Sequence, residues 1–242
     1  MKFLRKVHSY LYLLSLSLFF FLLWPAFYYG SRQPSRYSFM CRFRRYWGFA
    51  SSALVGIFYR FEYEQTIDWS KTYIVCCNHS SNLDITAMSL LVKSSCSFMG
   101  KEELKDGLAT GVFFRSVDIP VNRDSKVSSF RAFKKASERL EQNTTMIIFP
   151  EGKIADDYPP VLHPFKNGPF RLAIEHKIPI IPVSSANAWT ICWDNGSKYG
   201  TKPGICKFKV HAPVETAEMT IEDADGLRDR VYELINTDLV NV

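Results

Sequence analysis

Residues 73–84 read Tyr-Ile-Val-Cys-Cys-Asn-His-Ser-Ser-Asn-Leu-Asp, an apolar run that ends abruptly in polar residues. The run has the length and composition of a buried β-strand, and the polar residues after it are typical of a turn into a helix. A helix that begins near Ser81 carries Asp84 back toward the ring of His79. The stretch therefore predicts a strand, a turn and a helix, with an imidazole and a carboxylate meeting at the turn.

Short apolar runs of this kind alternate with helical patterns along the rest of the chain. Strands are predicted at 72–78, 95–100, 118–121, 145–149, 179–183 and 206–211. Apolar residues recur at helical spacing in 127–140 and again in 227–235, and the segments 155–160 and 193–197 are predicted loops. The alternation indicates an α/β fold with a mostly parallel central sheet flanked by helices.

The first 60 residues have a composition of their own. They hold nine Lys and Arg residues, no Asp or Glu, and half of the aromatic residues, whereas the whole chain carries a net charge of +6. Arginine mixed with aromatic residues suits a lipid headgroup interface, so membrane lipids are the expected partner. A nucleic-acid partner is not expected, because the remainder of the chain is slightly acidic.

An uncharged segment at 9–30 has about the 20 residues that a bilayer requires, which indicates a membrane segment. A cleaved signal peptide is the rival interpretation, since Lys2, Arg5 and Lys6 precede the segment. Positive charge on both flanks leaves two topologies open. The segment either crosses the bilayer or dips into one leaflet and returns, with Pro25 as the bend.

A second apolar stretch at about 46–59 is short for a membrane span and is predicted to form an interfacial helix. It can instead be the first buried helix of the globular domain. In both cases the N-terminal part is a hydrophobic anchoring helix or two-helix motif. The expected division is an anchor at 1–62 and one catalytic domain at 63–242.

Six cysteines show neither a Cys-x-x-Cys pair nor a histidine at zinc-ligand spacing. We therefore expect no metal, and we expect reduced thiols that pack in the core. Cys76 and Cys77 occupy one predicted strand, so their side chains should point to opposite faces. Reduced thiols favour a catalytic domain on the cytoplasmic face of the membrane.

Two blocks carry the chemistry. In the first, Asp84 can hold the ring of His79 so that the imidazole acts as a general base on an alcohol. The alternative is a helix-capping aspartate beside a satisfied histidine. The second block, Phe-Pro-Glu-Gly at 149–152, offers a carboxylate and a tight turn whose backbone can approach an anion or a hydroxyl.

The order of these blocks resembles the glycerolipid acyltransferase family that includes 1-acylglycerol-3-phosphate acyltransferase, over about residues 70–212. The first family motif, Asn-His-x-x-x-x-Asp, matches at Asn78, His79 and Asp84. The resemblance implies that His79 and Asp84 are catalytic and that Asn78 lies in the substrate site. Lys101, in the Lys-Glu-Glu-Leu block that follows, is also expected to bind substrate.

Three further family motifs match later in the chain. The apolar run 117–123 ends at Arg123, which the resemblance makes a phosphate ligand, a role suited to a planar and permanently charged side chain. Glu151 and Gly152 belong to the third motif, and Glu151 is implied to touch the polar head of the acceptor. The fourth motif, at 178–183, is expected to pack at the wall of the pocket.

One departure from the family pattern concerns the acceptor. The family continues Glu-Gly with Thr-Arg, whereas Lys153 and Ile154 occupy those positions here. Lys153 can restore one positive charge, and Lys166 is a further candidate for binding an anion. A phosphate-free lyso-lipid, such as a lyso-aminolipid, is therefore an alternative acceptor.

The resemblance implies transfer of an acyl group from acyl-CoA or an acyl carrier protein to a lyso-lipid hydroxyl, without any other cofactor. Backbone N–H groups at the start of the helix after His79 are expected to stabilise the oxyanion. Ser80 and Ser81 lie beside His79 and leave a covalent serine route open. A non-enzymatic alternative is a membrane-anchored interaction protein that keeps the shape of an acyltransferase.

Overall fold

The computed structural model describes residues 2–122, 124–154 and 157–240 of the chain. Within these residues one sheet contains seven strands: β1 (Ile57–Tyr63), β2 (Ile74–Cys77), β3 (Cys96–Lys101), β4 (Ile119–Val121), β5 (Thr145–Ile148), β6 (Ile180–Ser185) and β7 (Gly204–Val210). The strand order is β1-β7-β6-β2-β5-β3-β4, and only the β6–β7 pairing is antiparallel. The predicted mostly parallel α/β sheet is confirmed.

Helices connect the strands and cover both faces of the sheet. The described residues form α1 (Lys2–Ser31), α2 (Tyr37–Leu54), α3 (Leu83–Leu91), α4 (Gly111–Phe114), α5 (Lys126–Glu141), α6 (Gly168–Glu175), α7 (Ala188–Ile191) and α8 (Ala224–Val240). Short 3-10 turns occur at Pro34–Arg36, Glu102–Asp106 and Ile221–Asp223.

Strand β2 shows how the two sides of the core are divided. Val75 and Cys77 pack on the face covered by α1, α2 and α3, whereas Ile74 and Cys76 pack on the face covered by α5, α6 and α8. Alternation along a strand produces this division, because successive side chains point to opposite faces. The side chains of the two neighbouring cysteines therefore pack on opposite faces of the sheet, as the sequence predicted.

The N-terminal elements differ from the predicted interfacial helix at 46–59. Helix α2 ends at Leu54, Gly56 adopts a φ of +74°, and the chain then forms β1. A positive φ is the usual conformation of a glycine that ends a helix, so Gly56 was a stop signal in the sequence. Because β1 pairs with β7, residues 57–62 belong to the sheet rather than to a separate anchor.

Helix α1 continues through Pro25, so the chain does not turn back at that residue, as the re-entrant alternative required. The chain reverses instead between Ser31 and Tyr37. Among the described helices, α1 alone is long and apolar enough to cross a membrane, and an 18-residue stretch of it has a mean hydropathy of 1.8. Its contacts with the domain include hydrogen bonds from Ser15 Oγ to the carbonyl of Ser51 and from Trp47 Nε1 to the carbonyl of Leu16.

A buried ion pair joins α2 to the strands. Arg44 Nη1 donates to both carboxylate oxygens of Asp118, at 3.0 and 2.9 Å, and its Nη2 donates to the carbonyl of Cys96. Asp118 also accepts the backbone N–H of Phe98, and both charged side chains are buried. A buried charge without its partner is strongly unfavourable, so this pair fixes the position of α2 on the sheet.

We expect Arg44→Ala to lower the free energy of unfolding by roughly 3–5 kcal/mol, because it leaves the Asp118 carboxylate buried and uncompensated. Arg42, an exposed arginine on the same helix, supplies the matched control. Arg42→Ala should change stability by less than about 0.5 kcal/mol. Denaturant unfolding in detergent measures both variants, and equal effects would contradict a dominant role for the Arg44–Asp118 pair.

Candidate active site

The site lies where neighbouring parallel strands end at the same edge of the sheet. Strand β2 leads into the turn that carries His79, and β5 leads into the turn that carries Glu151. The two strands pair directly, with Ile74 opposite Met146. The carboxyl ends of parallel strands are the usual place for a ligand site in an α/β sheet, and the pairing brings the two predicted blocks together.

Asp84 is the centre of the hydrogen-bond network. Its Oδ2 lies 3.2 Å from His79 Nδ1 and accepts the backbone N–H groups of Ser80 and Ser81, each at 2.9 Å. Its Oδ1 accepts the hydroxyl of Ser185 at 2.7 Å. The carboxylate is fully buried in the first turn of α3, where the helix dipole also favours a negative charge.

This network fixes the ring of His79 in one orientation. In the neutral ring, a carboxylate acceptor at Nδ1 assigns the proton to that nitrogen and leaves Nε2 as a proton acceptor. The ring also stacks on Phe149, with centroids 3.9 Å apart and an interplanar angle of 14°. The arrangement can therefore present Nε2 as a general base, with the opposite side of the ring held by a buried negative charge.

Glu151 connects the histidine turn to the second turn. Its Oε1 accepts the backbone N–H of His79 at 2.7 Å, and its Oε2 accepts that of His163 at 3.0 Å. Burial raises the pKa of the Glu151 carboxyl above its usual value, although the two N–H groups oppose the rise. The side chain therefore positions the backbone of His79 as well as lining the adjoining cleft.

The adjoining cleft has a volume of about 370 Å³ and holds most of the predicted substrate-binding residues. Its lining comprises Lys101, Glu103, Val121, Asn122, Asp124, Glu151, Gly152, Lys153 and Lys166. The described residues provide no ion-pair partner for Lys101, Lys153 or Lys166, although carboxylates share the cleft. Three ammonium groups are therefore available to an anionic ligand.

Gly152 has a geometric reason for being a glycine. It adopts a φ of +83°, and its N–H closes the turn on the carbonyl of Phe149 at 3.0 Å. A Cβ at this position would lie 3.1 Å from Cε of Lys166. The absence of a side chain thus allows both the turn and the passage of Lys166 into the cleft.

Asn78 does not line the cleft, and one further predicted substrate residue lies outside the described part of the chain. Both polar atoms of the Asn78 side chain bond to the backbone of Ser185, at 3.1 Å from Nδ2 and 2.7 Å from Oδ1. Asn78 therefore holds the end of β2 against the end of β6 and acts as a positioning residue. Arg123 lies outside the described residues, and its role as a phosphate ligand stays a prediction.

The prediction of a backbone oxyanion site at the start of α3 is wrong. Every backbone N–H from His79 to Ile85 donates to an acceptor within the protein. The first three bind Glu151 and Asp84, and Asn82 binds the carbonyl of Asp194. The donors that a substrate oxygen would need are therefore already occupied, two of them by Asp84. Ser80 Oγ differs from these groups, because it is buried and has no hydrogen-bond partner among the described residues.

Sequence reasoning missed three groups that support the site. The hydroxyl of Ser185 donates to Asp84, and the backbone N–H of His163 donates to Glu151. The backbone of Asp194 holds the histidine turn from both sides: its carbonyl accepts the N–H of Asn82, and its N–H donates to the carbonyl of Ser80. Each lies far along the chain from its partner and in no recognisable motif. No group of three or more His, Cys, Asp or Glu residues in the described parts of the chain could hold a metal ion.

Comparison with known protein families gives one match over much of the chain. A model of the acyltransferase family matches residues 59–186. An uncharacterized acyltransferase of Schizosaccharomyces pombe is 28% identical over 201 residues, which cover 82% of this chain and 71% of that protein.

Two characterised relatives are matched over a smaller share of their length. A 1-acyl-sn-glycerol-3-phosphate acyltransferase alpha of Mus musculus is 28% identical over 67% of this chain, and a 1-acyl-sn-glycerol-3-phosphate acyltransferase of Saccharomyces cerevisiae is 29% identical over 68%. The chain spans 56% of the length of each.

A solved structure resembles the whole chain. The crystal structure of the 1-acyl-sn-glycerophosphate (LPA) acyltransferase from Thermotoga maritima has a TM-score of 0.81 and is 20% identical. The match covers 100% of this chain and 97% of that one. The two proteins share a fold, including the N-terminal helices.

We expect Asp84→Asn to fold and to lose activity. The asparagine oxygen can still accept from His79, Ser80 and Ser81, and Ser185 can turn its hydroxyl to accept from the new amide. The neutral side chain does not stabilise an imidazolium, so kcat should fall roughly 10²–10⁴-fold.

The control for this variant is Asp84→Ala, which leaves the two backbone donors unsatisfied and should cost more than about 2 kcal/mol of stability. Thermal unfolding and turnover are measured on both variants. Full activity in Asp84→Asn would show that the negative charge at Asp84 is not needed for catalysis.

We expect a pH-dependent difference in stability between the wild type and Glu151→Gln. A carboxyl whose pKa is raised on folding stabilises the folded state fully at low pH, and that contribution is lost as the pH rises through the folded value. Glutamine lacks this dependence. The melting temperature of the wild type minus that of Glu151→Gln should therefore fall from pH 4 toward neutral pH, and a constant difference would contradict the raised pKa.

Proposed function

The chain belongs to the acyltransferase family of enzymes, whose model covers more than half of it, and from this we propose that it acylates a membrane lyso-lipid. The acyl group comes from an acyl thioester, and the acceptor is 1-acylglycerol-3-phosphate, which becomes phosphatidate. The observation that carries the proposal is the pair of His79 and buried Asp84 beside a cleft with three unpaired lysines. The mouse and yeast relatives, named for this acceptor, support it.

The reaction begins with His79. Its Nε2 takes the proton of the acceptor hydroxyl as the oxygen attacks the thioester carbonyl, and Asp84 stabilises the imidazolium that forms. The tetrahedral intermediate then collapses, the carbon–sulfur bond breaks, and His79 returns the proton to the thiolate. The products are the acylated lipid and a free thiol. Acyl-CoA or an acyl carrier protein supplies the thioester, and the scheme needs no further cofactor.

Direct transfer is preferred to an acyl-enzyme. Ser80 and Ser81 are buried, and the hydroxyl of Ser81 accepts the N–H of Leu83. A nucleophilic serine must reach the substrate and donate its proton to a base. Neither hydroxyl is hydrogen-bonded to His79, so the acceptor hydroxyl is the better nucleophile in this scheme.

Three lysines support a phosphate-bearing acceptor. Lys101, Lys153 and Lys166 project from three separate segments into one cleft next to Glu151. Lys153 follows the Glu-Gly pair directly, so it supplies a positive charge near the position at which the family has arginine. Ammonium groups bind phosphate as point charges, without the bidentate geometry of a guanidinium.

The N-terminal helices support a site that works at a membrane surface. One face of α1 is buried against α2 and the domain, and the other exposes a row of leucines: Leu4, Leu11, Leu14, Leu18 and Leu22. Because the domain contacts α1 from Arg5 to Phe27, we place α1 and α2 in one leaflet rather than across the bilayer. All six cysteines are free thiols, which supports a catalytic domain on the cytoplasmic face.

The test is an acylation assay with the protein in detergent, acyl-CoA or acyl carrier protein as donor, and lysophosphatidate beside phosphate-free lyso-aminolipids. We expect lysophosphatidate to be acylated, and His79→Ala to lower kcat by roughly 10²–10⁴-fold because the base is lost. The chain offers a matched control in His163, whose imidazole pairs with Asp157 at 3.0 Å on the surface. His163→Ala keeps the backbone N–H and should retain turnover.

Each outcome decides part of the proposal. Equal turnover in His79→Ala and the wild type would remove the proposed base. Acylation of a lyso-aminolipid alone would overturn the acceptor while leaving the reaction in place. If the wild type showed no activity with any acceptor or donor, the result would favour the alternative of a membrane-anchored interaction protein.

A further inference from the structure

A second groove lies beside the active-site cleft and is not used by the reaction scheme above. It has a volume of about 550 Å³ and runs between the Glu102–Asp106 turn and one side of α5. Its lining includes Lys105, Arg131, Lys134 and Lys135. Asn122 lines both the groove and the cleft, so the two spaces adjoin.

The groove is electrostatically unbalanced. Lys105 pairs with Glu102 at 2.8 Å, but Arg131, Lys134 and Lys135 have no ion-pair partner among the residues that the structure describes. All three are exposed, and Glu138 is the other carboxylate in the lining. The groove therefore presents three free cations to an anionic ligand.

Cations are concentrated along most of α5. The first ten residues of the helix contain four cations and no carboxylate, and both of its glutamates lie near its C-terminal end. The carboxylate of Asp124, which precedes the helix, lines the cleft instead of the groove. A bound polyanion would compensate this concentration of positive charge.

The position of α5 argues for a ligand that arrives from water. Helix α5 packs on the face of the sheet that it shares with α6 and α8, whereas α1 and α2, with the exposed leucines, cover the opposite face. A bilayer that receives α1 therefore lies on the far side of the sheet from α5. This placement disfavours lipid headgroups as the occupant of the groove.

We propose that this groove binds the phosphorylated nucleotide of a CoA thioester, while the acyl thioester reaches His79 through the adjoining cleft. The inference rests on the proposed acyl transfer and specifies CoA as the donor. A 3′-phosphate and a diphosphate match three separate cations, and charge-assisted contacts of this kind are the stronger hydrogen bonds of proteins. Phe130 and Val127 are exposed on the same side of α5 and offer the adenine an apolar surface.

The shape of the site favours a nucleotide over an acidic carrier protein. The three free cations line one wall of a concave space, and small-molecule sites are concave, whereas a specific protein–protein interface spreads over roughly 800 Å² on each partner. The groove also adjoins the cleft at Asn122, and a thioester attached to the nucleotide requires the two spaces to be neighbours.

The test compares Lys134→Glu/Lys135→Glu with a control in which two exposed lysines outside both spaces are reversed, Lys71→Glu/Lys207→Glu. Kinetics use the full chain in detergent with three donors: acyl-CoA, acyl carrier protein, and S-acyl-N-acetylcysteamine, which carries the thioester without a nucleotide. Loss of charge-assisted contacts should raise KM for acyl-CoA by roughly ten- to a hundredfold in the groove variant. In the groove variant, the activity with acyl-CoA divided by the activity with S-acyl-N-acetylcysteamine should be lower than in the wild type. The control variant should match the wild type.

Binding of adenosine 3′,5′-bisphosphate, measured by calorimetry, gives a readout that does not depend on turnover. We expect the wild type and the control to bind it, with an affinity that falls as salt is raised, and the groove variant to bind it at least tenfold more weakly. If the wild type proved inactive with every acceptor, this measurement would still decide the inference, separately from the proposed function.

Three results would overturn the proposal. The first is an unchanged KM for acyl-CoA together with unchanged binding of adenosine 3′,5′-bisphosphate in the groove variant. The second is a raised KM for acyl carrier protein alone, which would make the groove a protein-docking surface. The third is weaker binding of the groove variant to vesicles of anionic phospholipid with acyl-CoA kinetics unchanged, which would make it a headgroup surface.

Discussion

The carboxylate of Asp84 lies in the interior with no exposed surface, and it is the acceptor around which the candidate active site is built. Donors from His79, Ser80, Ser81 and Ser185 converge on its two oxygens. A charge buried in this way is tolerated only when nearby dipoles replace its hydration, and three adjacent residues of one turn plus one distant hydroxyl do so. The hydrogen bonds that offset the cost of burying this charge therefore also orient the imidazole of His79. Two backbone donors of the turn bind Asp84, and those at the start of α3 bind Ser81 and Asn82, so all of them already have acceptors.

Around this centre the sheet brings together segments that are far apart in the chain. Strands β2, β5, β3 and β4 are neighbours, so the residues that follow them meet at one edge. Glu151 connects two of these segments by accepting the N–H of His79 and lining the cleft. Lysines from three segments then provide positive charge beside a site whose own centre is negative. Acyl transfer to a phosphate-bearing lipid needs both features, because the base must be held by a carboxylate while the headgroup is held by cations.

The two faces of the sheet have different partners. On one face the Arg44–Asp118 pair holds α2 in place, and α1 presents leucines outward where a lipid acceptor would be found. On the other face α5 carries a basic groove that adjoins the same cleft. A two-substrate reaction between a lipid and a water-soluble thioester is compatible with such a division, since each substrate can approach from its own phase.

The sequence by itself determined the α/β class, six of the seven strands, the apolar N-terminal segment and the pairing of His79 with Asp84. These features depend on local periodicity and on spacing within one turn, which a single stretch of chain contains. The remaining strand, β1, pairs with β7 about 150 residues later, and neither the periodicity nor the length of its apolar run revealed that partner. Only the tertiary structure decided that Ser185 donates a hydrogen bond to Asp84, that the side-chain amide of Asn78 bonds to the backbone of Ser185, and that three lysines share one cleft. Those contacts join residues from different strands and loops, and they exist only because the order of parallel strands places those segments side by side.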